Sequence, residues 1–217
     1  TGNFVVNSSV VNSVLVPSVL QVSSLYTNAS VTLNGGTLTG AGRVLNVNNS
    51  TGGTINPGVP LGKLTVGNQL NLASTNTYLT TINGSSQGTY GQTSIISGGF
   101  VNLNSAQLAF VLNANLQVGN QLTLLNIGTG SGALGNFNFN GVPLLQGGSF
   151  SLTANGFTTS FSINYRGGDG NDVVLTVTAV SPYTAPPGTL LPTQAIGVDY
   201  GGSSVVQINY NNGTNLC

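Results

Sequence analysis

Apolar and polar residues alternate along this chain in short bursts, each cut off after a few positions by Gly, Asn, Ser or Pro. Period-two alternation bounded by turn residues predicts strands, and no apolar run has the i, i+3, i+4 spacing of a helix face. The predicted strands in the first third are residues 4–6, 10–16, 19–22, 29–33, 37–39, 44–47, 54–56, 63–66 and 69–72. The pattern is densest over residues 34–72, where strands and tight turns follow so closely that each strand has to bury its inward side chains on the next. The alternation resumes from Gly99 and carries further strands to about Val180, with turns at Asn83-Gly84, Val118-Gly119-Asn120 and Gly128 to Gly132. Periodicity alone allows two all-β architectures: strands wound over one another as a coil, or a β-sandwich, which alternates in the same way.

The run 14–20 is too short to cross a membrane and contains Pro17, which lacks a backbone donor and belongs at a corner or an edge. Its two readings are a buried rung of the coil and a strand that docks on a neighbouring subunit. No run of about 18 apolar residues occurs anywhere, so no helical membrane span is expected. The chain begins without a charged segment leading into an apolar one, so a secreted form is expected to have lost its signal peptide already.

Two motifs carry a family resemblance. Gly36-Thr-Leu-Thr-Gly40-Ala-Gly42 is followed by Gly52-Gly53-Thr-Ile-Asn-Pro57-Gly58 and, beyond Gly62, by Leu64-Thr-Val66. Near the end of the patterned region stands Tyr165-Arg-Gly-Gly-Asp-Gly-Asn-Asp-Val-Val-Leu-Thr176. Together they resemble the autotransporter-associated β-strand repeat of bacterial passenger domains. The resemblance implies a right-handed parallel β-helix, exported by a bacterium and held on or shed from its surface in adhesive or matrix roles. It implies no catalytic residue.

Charge changes the picture most. Only 3% of the 217 residues are charged, against roughly 25% in ordinary soluble proteins, and the formal net charge is zero. The six ions are Arg43, Lys63, Arg166, Asp169, Asp172 and Asp199, with no Glu and no His. Soluble monomers ordinarily keep apart with a net charge of magnitude about 2–8, so this chain is expected to associate with itself or to sit on a cell or abiotic surface. Three scattered basic residues cannot neutralise a phosphate track, which excludes nucleic acid as a partner. Disorder is excluded too, because disordered chains combine low hydrophobicity with high charge, whereas this one is 39% hydrophobic.

The same numbers argue against catalysis. β-Helix enzymes that cut polysaccharides need clustered carboxylates, and a His-dependent triad needs His. One stretch retains possible chemistry: Gly167-Gly-Asp-Gly-Asn-Asp-Val-Val-Leu175 matches one copy of the calcium-binding nonapeptide G-G-x-G-x-D-x-U-x. Calcium takes 6–8 oxygens, and in such rolls it sits between successive copies. A single copy therefore reads first as a Gly-rich turn in which Asp and Asn bond their own backbone. The alternative is an incomplete calcium site at Asp169, Asn171 and Asp172.

Three regions follow: an N-terminal strand region (1–33), a β-helix body (34–180), and a tail (181–217). In the tail Pro182, Pro186, Pro187 and Pro192 favour an extended connector. Beyond it SSVVQINY (203–210) alternates again. Val206, Ile208 and Tyr210 share one face, with Val205 on the other. This extended tail strand is expected either to cap the coil or to pair with the next molecule through these four residues. The single Cys217 has no internal disulfide partner. The reading is an all-β, non-enzymatic, extracellular structural protein that self-associates into a bacterial surface filament or matrix. An adhesin passenger is the first alternative and a carbohydrate-binding β-helix the second.

Overall fold

The computed structural model describes residues 2–11, 14–58, 62–96 and 98–184. The chain divides into two compact units, Thr1–Ser181 and Pro182–Cys217. Of the second unit only residues 182–184 are described, so Val205, Val206, Ile208, Tyr210 and Cys217 lie outside the described residues.

The first unit is all-β. Its strands are β1 (Gly2–Val11), β2 (Val14–Pro17), β3 (Val19–Val22), β4 (Leu25–Gly40), β5 (Arg43–Pro57), β6 (Lys63–Asn71), β7 (Asn76–Ile82) and β8 (Gln92–Ile95). These are followed by β9 (Phe100–Asn102), β10 (Gln107–Leu112), β11 (Gln121–Ile127), β12 (Phe137–Phe139), β13 (Val142–Leu144), β14 (Ser149–Ala154), β15 (Phe157–Gly167) and β16 (Asp172–Pro182). Together they form one large sheet.

The pairing from β1 to β12 is parallel apart from the β1–β2 contact, and its register falls into three rows. β4 and β5 each run through all three, because both are long strands interrupted by register shifts at their corners. In the first row Tyr26 pairs Val44, Val44 pairs Val66, Val66 pairs Ile95, and Ile95 pairs Ile127. The second row runs Phe4, Val31, Val47, Leu70, Val101, and the third Leu20, Leu38, Ile55, Tyr78, Leu108. In each row one residue type, apolar, recurs at every level and stacks on its partner above and below. Val44, Val66, Val31, Val47, Leu70, Leu38, Ile55 and Tyr78 are all 0% exposed. At roughly 1.5–3 kcal/mol per fully buried large side chain, these rows are the main stabilising term.

Parallel strands lie about 4.8 Å apart, so a corner residue meets the corner of the next pass at backbone distance. Gly42 shows the constraint. Its N–H donates to the Val22 carbonyl at 2.8 Å, and a Cβ placed on it would lie 2.4 Å from the Ser24 carbonyl oxygen. Only glycine fits there, which explains why Gly, rather than Asn or Ser, stands in that part of the 36–42 motif.

After β12 the pairing reverses. β13 runs antiparallel on β12, β16 antiparallel on β11, and β14 with β15 forms a hairpin closed by a turn at Asn155-Gly156. Phe150 and Phe161 stack at 5.3 Å, Phe110 lies 5.2 Å from Phe150, and Phe137 and Phe161 are 0% exposed. This aromatic group lies at the C-terminal end of the third row, where Phe137 meets Tyr78 at 5.6 Å.

The N-terminal segment differs from its sequence reading. The strand expected over 10–16 is two strands that face each other: β1 and β2 pair antiparallel, with Val11 opposite Val14. Nor is 14–20 a buried rung, since Val16 is 43% and Val19 64% exposed. A run of β-branched residues specifies extended backbone but not which side gets covered, and here only β4 lies against β3.

Two glycines separate backbone approach from backbone conformation. Gly42→Ala places a methyl against a carbonyl and is expected to cost about 3 kcal/mol. Gly156→Ala keeps open space but forces alanine to φ +78, a cost of about 1 kcal/mol. Thermal or urea unfolding of both variants checks this; equal losses, or a larger loss at Gly156, would contradict the tight stacking of passes.

Candidate functional site

The three core rows end differently at their two ends. At the C-terminal end hairpins cover them, whereas at the N-terminal end their first members are left in the open. Phe4 is 38% exposed although every later residue of its row is at most 1% exposed. Tyr26 is 44% exposed at the head of a row whose next members are buried, and Leu20 is half-buried. Leu25, Val5 and Val19 add exposed apolar area beside them. Among the described residues β4 is the one strand that residues 2–7 pair with, since β2 takes up residues 8–11 of β1, and β3 likewise pairs with β4.

That end therefore carries two features of an interaction surface: unpaired strand edges and apolar side chains in core positions with nothing stacked on them. Phe4 and Tyr26 meet edge to face, their ring centroids 5.8 Å apart. Beside them lies a hollow of about 310 Å³ lined by Gly2, Phe4, Tyr26, Thr27, Asn28 and Ala29. No ionised side chain occurs in residues 1–33, so no charge guards the edge.

On the outward face the passes are tied by polar ladders. Asn34 donates through Nδ2 to Asn7 Oδ1 at 2.8 Å, and Thr51 bonds Asn34 Oδ1. A second ladder runs from Asn68 to Asn46 Oδ1 (2.9 Å) and from Asn46 to the Ser30 hydroxyl (2.8 Å). Stacked amides of this kind hold parallel strands in register. The high Asn content seen in the sequence thus has a structural use.

The turn singled out for calcium lies between β15 and β16. Its side chains do bond backbone, but across the fold rather than within the turn. Asn171 Nδ2 donates to the Gly128 carbonyl at 2.8 Å, and Asp172 Oδ1 accepts the Ile127 N–H at 2.7 Å. Asp169 is exposed, and Asn171 Oδ1 is buried without a partner. Among the described residues no group of three His, Cys, Asp or Glu side chains comes together.

The buried phenols are engaged in the core. Tyr165 donates to the Leu144 carbonyl at 2.6 Å and accepts the Phe137 N–H at 2.9 Å, and burial pushes its pKa up to about 12. Tyr78 donates to the Leu124 carbonyl at 2.9 Å, and burial raises it well above the ordinary phenol value. Neither group is poised to exchange a proton near neutral pH. A cavity of about 560 Å³ beside Tyr165 and Arg166 is lined mostly by Gly, Ala and Leu of residues 131–136 together with Leu145 and Gln146.

The sequence reading placed assembly in the tail and in the N-terminal region but did not single out Phe4 and Tyr26. Aligning the repeats level by level would have found them, since they are the first apolar members of rows that continue through Val31 and Val44.

Asp172 generates a pH prediction. Burial raises its pKa above the ordinary 3.8, the Ile127 N–H opposes that rise, and the charge of Asp169 adds to it. The folded state thus holds the proton more tightly than the unfolded state, so Asp172 lowers stability at neutral pH, and that loss is relieved as pH falls through the raised pKa toward 3.8. The contribution of Asp172 to the melting temperature should rise on mild acidification. Asp172→Asn, which keeps an acceptor for Ile127, should be more stable at neutral pH and lack that increment. Parallel pH curves for the two proteins would contradict the burial of this charge.

The chain matches no protein-family model and no curated protein.

Proposed function

We propose that this chain is a right-handed parallel β-helix acting as a non-enzymatic, extracellular structural protein, a self-associating subunit of a bacterial surface filament or matrix. The observation that carries the reading is the N-terminal end, where Phe4, Tyr26 and Leu20 head core rows with no strand of the described residues stacked on them. A neutral chain with unguarded strand edges has neither repulsion nor steric cover to keep its copies apart.

The coil is supported by the register. Three rows of parallel pairs recur in the same order as the chain advances, whereas the two sheets of a sandwich are built from antiparallel neighbours. The 36–66 motif and the 165–176 motif support the bacterial, exported setting by resemblance. The absence of Glu and His from the sequence supports a role without general acid–base chemistry.

The outward amide and hydroxyl ladders favour a second reading, an adhesin passenger whose ordered polar face meets a cell or a polysaccharide. The two readings differ in solution behaviour. Self-association predicts mass that grows with concentration and filaments by electron microscopy, and adhesion alone predicts monodisperse particles that bind cells or glycans.

Phe4→Lys tests the carrying observation. An inward-pointing charge on an edge strand is a device by which β-proteins block edge pairing. Because Phe4 is uncovered, the lysine can reach water in the separate subunit, and the fold should stay intact by circular dichroism. Sedimentation should show association weakened at least tenfold, about 1.4 kcal/mol. Unchanged association would move the contact away from the N-terminal end.

A further inference from the structure

The structure leaves strand edges uncovered at one end of the molecule, and the sequence supplies one alternating segment beyond the described residues. We propose that residues 203–210 of one copy pair as an added strand along residues 2–7 of a second copy, covering Phe4 and Tyr26. The proposal rests on the self-association reading above and names its joint.

Three properties of the edge define what fits it. It offers main-chain groups on the side away from β4, because residues 2–6 have no second strand among the described residues, while the Asn7 carbonyl at its end is taken by the Ser18 N–H. It presents Phe4 in the core row, 38% exposed, next to Val6, which is already buried in the core. It carries no charge. An occupant must therefore be an extended segment with apolar residues at every second position and no ion, which is the requirement for strand addition to a sheet edge.

Residues 203–210 meet each requirement. The sequence SSVVQINY places Val206, Ile208 and Tyr210 on one face, contains no charged residue and no proline, and has β-branched residues at three of its eight positions. Eight residues are enough to span the six of the 2–7 edge. The hollow beside Phe4 and Tyr26 has room for a third ring, and Tyr210 supplies one.

The other end of the molecule cannot offer this joint by simple stacking. There β13 and β16 run antiparallel to the rows they cover, so the parallel register of β1 and β4 does not continue across a bare end-to-end contact. A strand on a connector escapes that restriction. The segment from Pro182 to Ser203 holds Pro182, Pro186, Pro187 and Pro192 and spans roughly 60 Å when extended at about 3.1 Å per residue. That reach is enough for the strand to pair on a second copy, and a contact between unlike surfaces propagates from copy to copy.

The test is a crosslink between two pools of full-length protein, each carrying Cys217→Ser. One pool carries Val5→Cys, an outward position 55% exposed, and the other Gln207→Cys, so that Phe4, Val206 and Ile208 stay intact. The pools differ by a tag and are mixed with a thiol crosslinker reaching about 10 Å, twice the strand spacing. Val142→Cys, 65% exposed on β13, replaces Val5→Cys in the control. The expected result is a mixed-tag product well above the control, together with association weakened at least tenfold by Ile208→Asp. Association without that product, or unaffected by Ile208→Asp, overturns the strand-addition joint while leaving self-association standing. Efficient crosslinking within a single chain carrying both cysteines at high dilution overturns it as well, by placing the tail on its own subunit. If sedimentation finds no association at any concentration, the self-association reading fails and the joint fails with it.

Discussion

Everything in the first unit depends on main-chain hydrogen bonds between successive parallel passes of the chain, made close enough that side-chain identity is dictated at the corners. Where Gly42 donates to the Val22 carbonyl there is no room even for a methyl group. That approach fixes the register, and the register brings Tyr26, Val44, Val66, Ile95 and Ile127 into one line. A slip of one residue would turn every buried row outward. The Asn ladders reinforce the same alignment from outside, with amide bonds that join equivalent positions of neighbouring passes.

A stack built this way has ends, and here they are unlike. Beyond β11 and β12 the chain switches to antiparallel pairing and brings Phe137 against Tyr78 and Phe150 and Phe161 against Phe110, so the third row finishes under aromatic cover. Before β4 there is one further level in two of the three rows, β1 and β3, and among the described residues no strand lies above it. The N-terminal hairpin of β1 and β2 takes up residues 8–11, the Ser18 N–H donates to the Asn7 carbonyl at 2.9 Å, and residues 2–6 have no second strand among the described residues. Edge protection by charge is missing because charge is missing almost everywhere. Arg43, Lys63, Arg166, Asp169 and Asp172, the charged groups among the described residues, all lie outside residues 1–33.

Much of this was legible in the sequence. Strands at 19–22, 44–47, 63–66 and 69–71 follow directly from period-two alternation and their Gly and Asn boundaries. The corner glycines were visible as a motif, although their reason, contact with the preceding pass, needs coordinates. What could not be read was long-range. The chain from 10 to 16 is apolar apart from Asn12 and Ser13, and local preference does not say whether it continues or folds back on itself. Asn171 and Asp172 were expected to bond their own turn's backbone, whereas their partners, Gly128 and Ile127, lie far along the chain. Phe4 and Tyr26 look like ordinary strand residues until their rows are counted from the end.

Hydrogen exchange measured over a range of protein concentrations tests most directly whether the uncovered N-terminal edge is where copies meet. In dilute solution amides of residues 2–7 and 19–22 that point away from β4 should exchange fast, while those of β5 and β6 are protected on both sides. On concentration, residues 2–7 should become protected, with β13 and β14 at the opposite end unchanged. Protection that appears at β13 or β14 instead, or exchange at residues 2–7 that stays fast while the protein assembles, would contradict the account.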